Sequence, residues 1–169
     1  PILHLNGYKI AGPTLLSRIG REELNHLFQG YGHQPFFVEG ENPEEIHQAF
    51  AATLDMCHSE IRNIHDKARH HGDLTRPLWP MIILKTPKGW TCPDSFDGKQ
   101  LEGTFRSHQV PLAKTRENPA QLAALEAWLK SYKPNDLFDE NGHPIALISD
   151  LAPVGNLRMS ANPHANGGA

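Results

Sequence analysis

The sequence predicts an α/β fold in which a parallel sheet is flanked by helices. Three short apolar runs, at residues 2–5, 35–38 and 80–84, have the length and composition of buried strands. Helical patterns lie between them, so the order is strand, helices, strand, helix, strand. This alternation is typical of parallel strands joined by right-handed helical crossovers. We therefore expect one sheet with helices packed on it.

The segment after the first strand contains turn signals and two short helices. Asn6-Gly7 follows the strand directly, and Thr14 is a candidate N-cap for a helix over residues 15–19. A second helix is predicted over residues 21–29, and it should end at Gly30 or Gly32. Its inward positions are Leu24, Leu27 and Phe28.

The strongest helix signal begins at Asn42. This residue is a good N-cap, Pro43 suits the first helical position, and two glutamates follow where the helix dipole favours acids. Gly72 should end the helix. Apolar residues four and three apart form one stripe along its length: Ile46, Phe50, Leu54, Cys57, Ile61, Ile64 and Ala68.

A long segment without hydrophobic periodicity follows the strand at residues 80–84 and continues to about residue 119. Loops of this length in compact domains are usually functional or disordered. Large apolar residues are spread through the segment, which argues against disorder: Trp90, Phe96, Leu101, Phe105, Val110 and Leu112. We predict an ordered loop that carries Lys88 and His108 into a site at the carboxyl end of a strand, where open α/β sheets bind ligands.

The last part of the chain is predicted to be a helix and a linker. Asn118-Pro119 should cap a helix over residues 120–132, which carries Leu122, Leu125, Trp128 and Leu129 on one side. Residues 137–138 and 145–148 should make small packing contacts within a segment rich in Pro, Asn and Gly. We place the domain boundary between residues 1–116 and residues 117–169.

Composition excludes several classes of protein. The net charge is -3 and the pI is about 6.4, without a Lys/Arg cluster, so a nucleic-acid or membrane surface is not expected. The two cysteines, Cys57 and Cys92, cannot form a disulfide framework, which predicts a reducing, cytoplasmic location. Neither a signal peptide nor a run of about eighteen apolar residues is present. Because the chain opens directly on a strand without Met, we expect it to be a piece of a longer protein.

Eleven histidines raise the question of a metal site. His47, His58 and His65 lie on one side of the predicted long helix, but at about 1.5 Å per residue they are roughly 16 and 10 Å apart and cannot share an ion. The zinc spacings of His and Cys are absent, as are the phosphate-binding glycine motifs. Ser107 and His108 are sequence neighbours without an elbow motif, which does not favour a nucleophile and its base.

Asn6 is a candidate cation ligand because it directly follows a strand. Its amide oxygen suits a hard cation such as Mg²⁺, and a nearby backbone carbonyl could be a second ligand. On the residues alone, the simpler interpretation is that Asn6-Gly7 forms a turn.

Six short segments, in order along almost the whole chain, form a distinctive set. They are 4–10 (His-Leu-Asn-Gly-Tyr-Lys-Ile), 37–40 (Phe-Val-Glu-Gly), 79–81 (Trp-Pro-Met), 86–91 (Thr-Pro-Lys-Gly-Trp-Thr), 102–109 (Glu-Gly-Thr-Phe-Arg-Ser-His-Gln) and 161–163 (Ala-Asn-Pro). Together they resemble the phosphoketolase family. The Pro-Lys-Gly-Trp and Arg-x-His-Gln pieces distinguish phosphoketolases from the related transketolases.

The resemblance implies a thiamine-diphosphate-dependent enzyme that also uses Mg²⁺. Such enzymes cleave xylulose 5-phosphate, and often also fructose 6-phosphate, with inorganic phosphate to give acetyl phosphate and an aldose phosphate. Residues 1–116 would then be the latter part of the domain that binds the diphosphate side of the cofactor, and residues 117–169 would lead toward the next domain. The parent would be a homo-oligomer whose subunits share each active site.

Carried over by position, the resemblance implies roles for four residues. Asn6 matches the Mg²⁺-ligating asparagine, and Tyr8 matches the residue whose backbone carbonyl completes that ligation. Lys88 and His108 match the active-site lysine and histidine that face the reacting end of the cofactor and the substrate. Cys92 departs from the family pattern, in which we expect a small residue such as glycine.

The resemblance also implies that half of the cofactor site lies elsewhere. A Gly-Asp-Gly motif should precede Pro1, and the glutamate that activates the cofactor should follow Ala169, so the isolated fragment should be inactive. Two other interpretations stay open at this stage. The chain could be a non-catalytic α/β interaction module or a His-rich metal-binding protein.

Overall fold

The computed structural model describes residues 1–108, 111–162 and 165. The predictions that involve Gln109, Val110 and Pro163, and most of the closing loop, lie outside the described residues. The chain divides into two compact units, Pro1–Ala113 and Lys114–Ala169, and each is described separately below.

The first unit is built on a three-stranded parallel sheet, which confirms the predicted fold class. Its strands are β1 (Ile2–Leu5), β4 (His33–Glu39) and β5 (Trp79–Lys85), in the spatial order β1-β5-β4. The register pairs Leu5 with Lys85 and Glu39 with Lys85. All three strands therefore end at the same edge of the sheet.

Helices cover both faces of this sheet. Ile82 of β5 packs with Val38, Ile46 and Cys57, and therefore faces α2 (Pro43–His70). The next residue, Ile83, packs with Leu5 and Leu24, and therefore faces α1 (Arg21–Gly30). Because successive side chains of a strand point to opposite faces, α1 and α2 lie on opposite sides of the sheet.

The long helix begins and ends as the sequence predicts. Asn42 Oδ1 accepts hydrogen bonds from the backbone N–H groups of Glu44 (3.0 Å) and Glu45 (3.2 Å). Gly72 lies just past the end with φ +67°, a left-handed conformation that glycine adopts easily. The apolar stripe is only partly covered, however, since Ile46 and Cys57 are buried whereas Leu54 is 42% exposed.

The segment between β1 and α1 differs from the prediction. Two short strands, β2 (Tyr8–Lys9) and β3 (Gly12–Pro13), form an antiparallel hairpin, and the expected helix is one 3₁₀ turn, Leu16–Arg18. Thr14 is not its N-cap, because Leu15 occupies that position. The Thr14 hydroxyl instead hydrogen bonds to Ser17 Oγ at 2.6 Å.

The long loop after β5 is folded and packed, with Cys92, Leu101 and Leu112 buried. It contains a small hairpin, β6 (Ser95–Phe96) and β7 (Lys99–Gln100), and a 3₁₀ turn at Phe105–Ser107. Asp97 and Gly98 join the two strands with φ +49° and +68°. An Asp-Gly pair is a common signal for a two-residue hairpin turn, which the sequence interpretation overlooked.

The described residues of the second unit form two helices, α3 (Pro119–Ser131) and α4 (Ala146–Leu151). Three 3₁₀ turns accompany them, at Pro134–Asp136, Gly155–Leu157 and Met159–Ala161. The predicted contact between residues 137–138 and 145–148 is present, since Ile145 N–H donates to Leu137 O at 3.0 Å. Within the described part of the chain, none of the helices has the length and apolar character needed to cross a membrane.

Candidate functional site

The carboxyl edge of the sheet contains a cavity of about 550 Å³, a volume within the range of small-molecule sites. It lies where β1, β4 and β5 end, which is where open α/β sheets bind ligands. The described residues in its wall come from four segments: Leu5, Asn6, Gly7, Ser17, Glu39, Gly40, Glu41, Lys85, Thr86 and Pro87.

Asn6 both forms a turn and lines this cavity. Its Oδ1 accepts a hydrogen bond from Tyr8 N–H at 3.2 Å, and Gly7 adopts φ +89° between them. Thr14 N–H donates to Gly7 O at 3.0 Å, which holds the turn against the start of the next segment. An amide oxygen has two lone pairs, so this turn leaves Asn6 able to bind a cation as well.

Lys88 is held at the base of the loop by its own carbonyl group. Gly103 N–H donates to Lys88 O at 2.8 Å, and the Ser107 hydroxyl donates to the same atom at 3.0 Å. The Lys88 residue is only 7% exposed, which is unusual for lysine. The segment that follows the central strand is therefore fastened to residues 103–107, far along the same loop.

Gly89 allows these two segments to approach closely. It adopts φ +69°, and a Cβ atom at this position would lie 2.3 Å from Ser107 Cβ and 2.4 Å from Ser107 Oγ. Such contacts are far inside van der Waals distance, so the arrangement requires glycine. The backbone next to Lys88 thus lies directly against Ser107, the neighbour of His108.

His108 occupies a different environment from Lys88. It lies on the 3₁₀ turn after Ser107, donates its backbone N–H to Phe105 O at 3.1 Å, and is exposed. Of the four predicted site residues, only Asn6 is among the described residues of the cavity wall; Tyr8, Lys88 and His108 are not. The structure brings the Lys88 carbonyl and the Ser107 side chain together, and the roles of the four predicted side chains stay predictions.

Trp90 fastens the loop to the start of α2. Its indole N–H donates to Glu41 O at 2.7 Å, and its ring packs against the buried cluster of Val38 and Ile82. The His47 ring contacts it edge-on, with 5.7 Å between the ring centroids. The loop thus has an aromatic anchor two residues after Lys88.

Burial and nearby acids alter two ionisable groups of the loop. Burial raises the pKa of Cys92 to about 11, and the carboxylates of Glu102 and Asp94 add to the effect. Burial also raises the pKa of Glu102, partly offset by a hydrogen bond from the Thr91 backbone, while Asp94 and Glu41 raise it further. Cys92 is therefore protonated at neutral pH and packs inside the loop, where a smaller residue was expected.

Several residues of the cavity were missed by the sequence interpretation. Glu39 and Lys85 are the last residues of β4 and β5, so the common edge of parallel strands was the signal that could have identified them. His4 and Thr86 form a hydrogen bond of 2.7 Å, His4 Nε2 to Thr86 Oγ1, near the same edge. A contact between residues 82 positions apart depends on strand order, which the sequence does not reveal.

The donor atoms at this edge fit part of a magnesium site. Mg²⁺ prefers six oxygen ligands and usually binds through one or two protein groups together with phosphate and water. Asn6 offers an amide oxygen, and Glu39 and Glu41 place carboxylates in the same cavity wall. Among the described residues, no three His, Cys, Asp or Glu side chains are grouped to hold a metal.

Comparison with protein families matches the chain over its full length. Residues 1–169 match the model of the XFP N-terminal domain. The chain is 59% identical over 169 residues to a probable phosphoketolase of Nitrosomonas europaea, which covers 100% of this chain and 21% of that protein. It is 59% identical over 168 residues to probable phosphoketolase 2 of Rhizobium meliloti, covering 99% of this chain and 22% of that protein.

A third relative gives the same picture. Probable phosphoketolase 1 of Nostoc sp. is 58% identical over 168 residues, which cover 99% of this chain and 21% of that protein. The chain therefore spans about a fifth of the length of the curated relatives it matches.

Proposed function

Because this chain belongs to the phosphoketolase family, as part of its XFP N-terminal domain, we propose that the whole protein is a thiamine-diphosphate-dependent phosphoketolase. Its substrate would be xylulose 5-phosphate, with fructose 6-phosphate as a second candidate substrate. With inorganic phosphate, the five-carbon sugar would give acetyl phosphate, a three-carbon aldose phosphate and water. In reaction terms this is an aldehyde-lyase.

The observation that best supports the proposal is the way the loop after β5 folds back on itself. The loop buries Lys88 and fastens its backbone to Ser107, beside His108. A packed loop of this length with a buried lysine, next to a cavity at the carboxyl edge of a parallel sheet, is the arrangement of a site rather than of a connection.

The chain's own residues would divide the work. Asn6, through its amide oxygen, and Tyr8, through its backbone carbonyl, would hold Mg²⁺ at the diphosphate end of the cofactor. When bound, thiamine diphosphate supplies the chemistry that breaks the carbon–carbon bond beside the ketone. The Lys88 ammonium would stabilise phosphate or developing negative charge on oxygen, and the His108 imidazole would move protons to and from substrate hydroxyl groups.

The remaining ligands and contacts would come from the rest of the protein. We infer that each active site is shared between subunits of a homo-oligomer, and that the isolated 169-residue chain is inactive. The two free cysteines, both buried, support a reducing, cytoplasmic location. The mild negative charge supports neither a nucleic-acid nor a membrane partner.

The alternatives have less support. A His-rich metal-binding protein would need grouped ligands, and the described residues contain no such group. His47 and His65 instead contact Trp90 and Trp79 edge-on. A non-catalytic interaction module gives no reason for the burial of Lys88, because lysine is rarely buried unless its ammonium is paired.

The test uses the full-length protein with Lys88→Met and, separately, His108→Ala. Each variant should still bind cofactor but lose most turnover, because both side chains are proposed to act on the substrate. If His108 transfers protons, its loss should lower kcat by about 10²- to 10⁴-fold. The assay is acetyl phosphate formation from xylulose 5-phosphate and inorganic phosphate, with cofactor occupancy measured on the same samples.

Two further variants complete the test. Asn6→Ala should raise the Mg²⁺ and cofactor concentrations required for half-maximal activity more than it lowers the saturated rate. His58→Ala, an exposed residue of α2, is the control and should behave as wild type. Near wild-type turnover in both Lys88→Met and His108→Ala would remove the loop from the proposed mechanism.

A further inference from the structure

The hydrogen bond between His4 and Thr86 lies at the point where two functional segments leave the sheet. His4 pairs with Leu84 in the register of β1 and β5, so both side chains point to the same face. Thr86 follows Leu84 by two residues and continues on that face. His4 Nε2 reaches Thr86 Oγ1 diagonally at 2.7 Å, across 82 residues of sequence.

The pair ties Thr86, the first residue past β5, to His4 inside β1. The backbone pairing of β1 and β5 ends at Leu5 and Lys85. Past this point one segment enters the Asn6–Tyr8 turn and the other enters the loop that carries Lys88. His4 is two residues before Asn6, and Thr86 is two residues before Lys88, so this bond is a side-chain link between the two segments.

The environment of the pair distinguishes a link from ordinary packing. Thr86 is 5% exposed and lines the cavity, whereas His4 is exposed on the edge strand. A buried hydroxyl requires a hydrogen-bond partner, and a backbone carbonyl of its own strand end could serve. The partner is instead the His4 imidazole on the neighbouring strand β1. The bond therefore fixes the start of the loop relative to β1, two residues before Asn6.

We propose that His4 and Thr86 are positioning residues that hold the metal-side turn and the substrate-side loop in register; this inference depends on the proposed function. In this role the pair acts through Asn6 and the Lys88 segment rather than on the substrate. The pair keeps the Asn6 amide oxygen at a fixed separation from the Lys88 segment. Because a misplacement of about 1 Å can reduce a rate by about 10²-fold, losing the link lowers turnover without unfolding the protein.

The experiment is a double-mutant cycle in the full-length protein with Thr86→Val and His4→Leu. Each single variant should lower kcat about 10- to 100-fold. Each should also raise, by about 10-fold, the Mg²⁺ concentration at which half of the protein has bound thiamine diphosphate. The double variant should be no worse than either single variant, because both remove the same link. Cofactor binding is measured by calorimetry, independently of turnover, and the melting temperature of every variant is recorded.

Conservative variants separate the hydrogen bond from packing. Thr86→Ser keeps the hydroxyl and should restore activity, and His4→Gln places an amide nitrogen near the same position and should restore part of it. The matched control is Thr53→Val, which removes a threonine hydroxyl bond of 2.7 Å to Ala49 O within α2. It should leave kcat and the Mg²⁺ requirement unchanged.

The outcomes distinguish this inference from the proposed function. Wild-type protein that binds cofactor but forms no acetyl phosphate would refute the proposed function, and the Mg²⁺ requirement of cofactor binding would then still test the pair. Additive effects in the cycle, or variants with wild-type kcat and Mg²⁺ requirement, would overturn the link. So would lowered melting temperatures with unchanged kinetics, or a wild-type protein that binds no cofactor.

Discussion

Two helices of this chain begin in the same way and differ in what they bury. Asn42 and Asn118 each precede a proline, and each accepts hydrogen bonds from two backbone N–H groups at 3.0 and 3.2 Å. The helix that follows Asn42 buries Ile46 and Cys57, whereas α3 has no buried residue. Leu122 and Leu129 of α3 are both 53% exposed. A good cap therefore starts a helix, but burial depends on the elements that pack against it.

The same contrast holds between the two units. The buried apolar side chains of the described residues all lie between Leu5 and Leu112, in the first unit. In the second unit large apolar side chains are exposed, among them Leu147, Leu151, Val154, Leu157 and Met159. Because burial of apolar surface is the main source of folding free energy, substitutions in the two units should have very different consequences.

The largest difference should appear on truncating a leucine in each unit. Leu24→Ala removes a side chain that is 4% exposed and should cost about 2–5 kcal/mol of unfolding free energy, whereas Leu157 is 79% exposed and Leu157→Ala should cost no more than about 0.5 kcal/mol. Urea unfolding of the 169-residue chain, followed by circular dichroism, measures both. Equal costs for the two variants would contradict the contrast.

A matched pair of glycines should give the next largest difference. Gly89 and Gly142 have similar left-handed conformations, φ +69° and +78°, but only Gly89 has close neighbours. Gly142→Ala should therefore cost about 1–2 kcal/mol for conformation alone. Gly89→Ala should cost roughly 1–3 kcal/mol more, because the new Cβ collides with Ser107.

The glycine pair has a second readout in the full-length protein. Gly89→Ala should also lower acetyl phosphate formation, since it separates the Lys88 and Ser107 backbones, while Gly142→Ala should not. If both variants lose the same unfolding free energy and keep the same activity, the close contact between Gly89 and Ser107 contributes to neither stability nor activity. Gly98→Ala, at φ +68° with open space around it, is a control within the loop.

Local signals were sufficient to predict the three strands of the parallel sheet and the long helix α2, but not the hairpins β2–β3 and β6–β7. Asn42, Pro43 and Gly72 define the ends of α2 because caps, proline and left-handed glycine act within one turn. The apolar runs predicted the three strands for a similar reason. The order β1-β5-β4 could not be predicted, since it depends on contacts between residues about 80 positions apart.

The candidate site was predicted only in part for the same reason. The resemblance named Lys88 and His108, and the apolar residues of the loop indicated that it is ordered. The cavity wall from Glu39 and Lys85, the link from His4 to Thr86 and the anchor from Trp90 to Glu41 all join distant segments. The fit of Gly89 against Ser107 also depends on the folded loop, so the sequence around Gly89 does not reveal it.

The cysteines provide a smaller test of the contrast, because Cys57 and Cys92 are both in the first unit and the second unit has none. Burial raises the pKa of both thiols, for Cys92 from 9.0 to about 11. Both should thus react slowly with a thiol reagent at pH 8, at a rate set by opening of the first unit. A raised pKa in the folded state stabilises it below pH 9, and this stabilisation is lost between about pH 9 and pH 11.

Thiol labelling from pH 7 to pH 11, together with urea unfolding over the same range, measures both effects. Leu24→Ala should accelerate labelling at pH 8, and Leu157→Ala should not. Fast labelling of the wild-type chain at pH 8 would mean that the first unit has no stable core around Cys92.

The smallest effect should come from removing the two caps with which the comparison began. Asn42→Ala leaves the first N–H groups of a packed helix without a partner and should lower the unfolding free energy by about 1 kcal/mol. Asn118→Ala removes the same two hydrogen bonds from a helix that buries nothing, so its effect should be local fraying. Amide hydrogen exchange separates the two: Asn42→Ala should speed exchange in β4 and β5 along with α2, because they share one core. Asn118→Ala should speed exchange only in the first turns of α3. Faster exchange throughout the first unit in that variant would contradict the contrast between the packed helix α2 and the exposed helix α3.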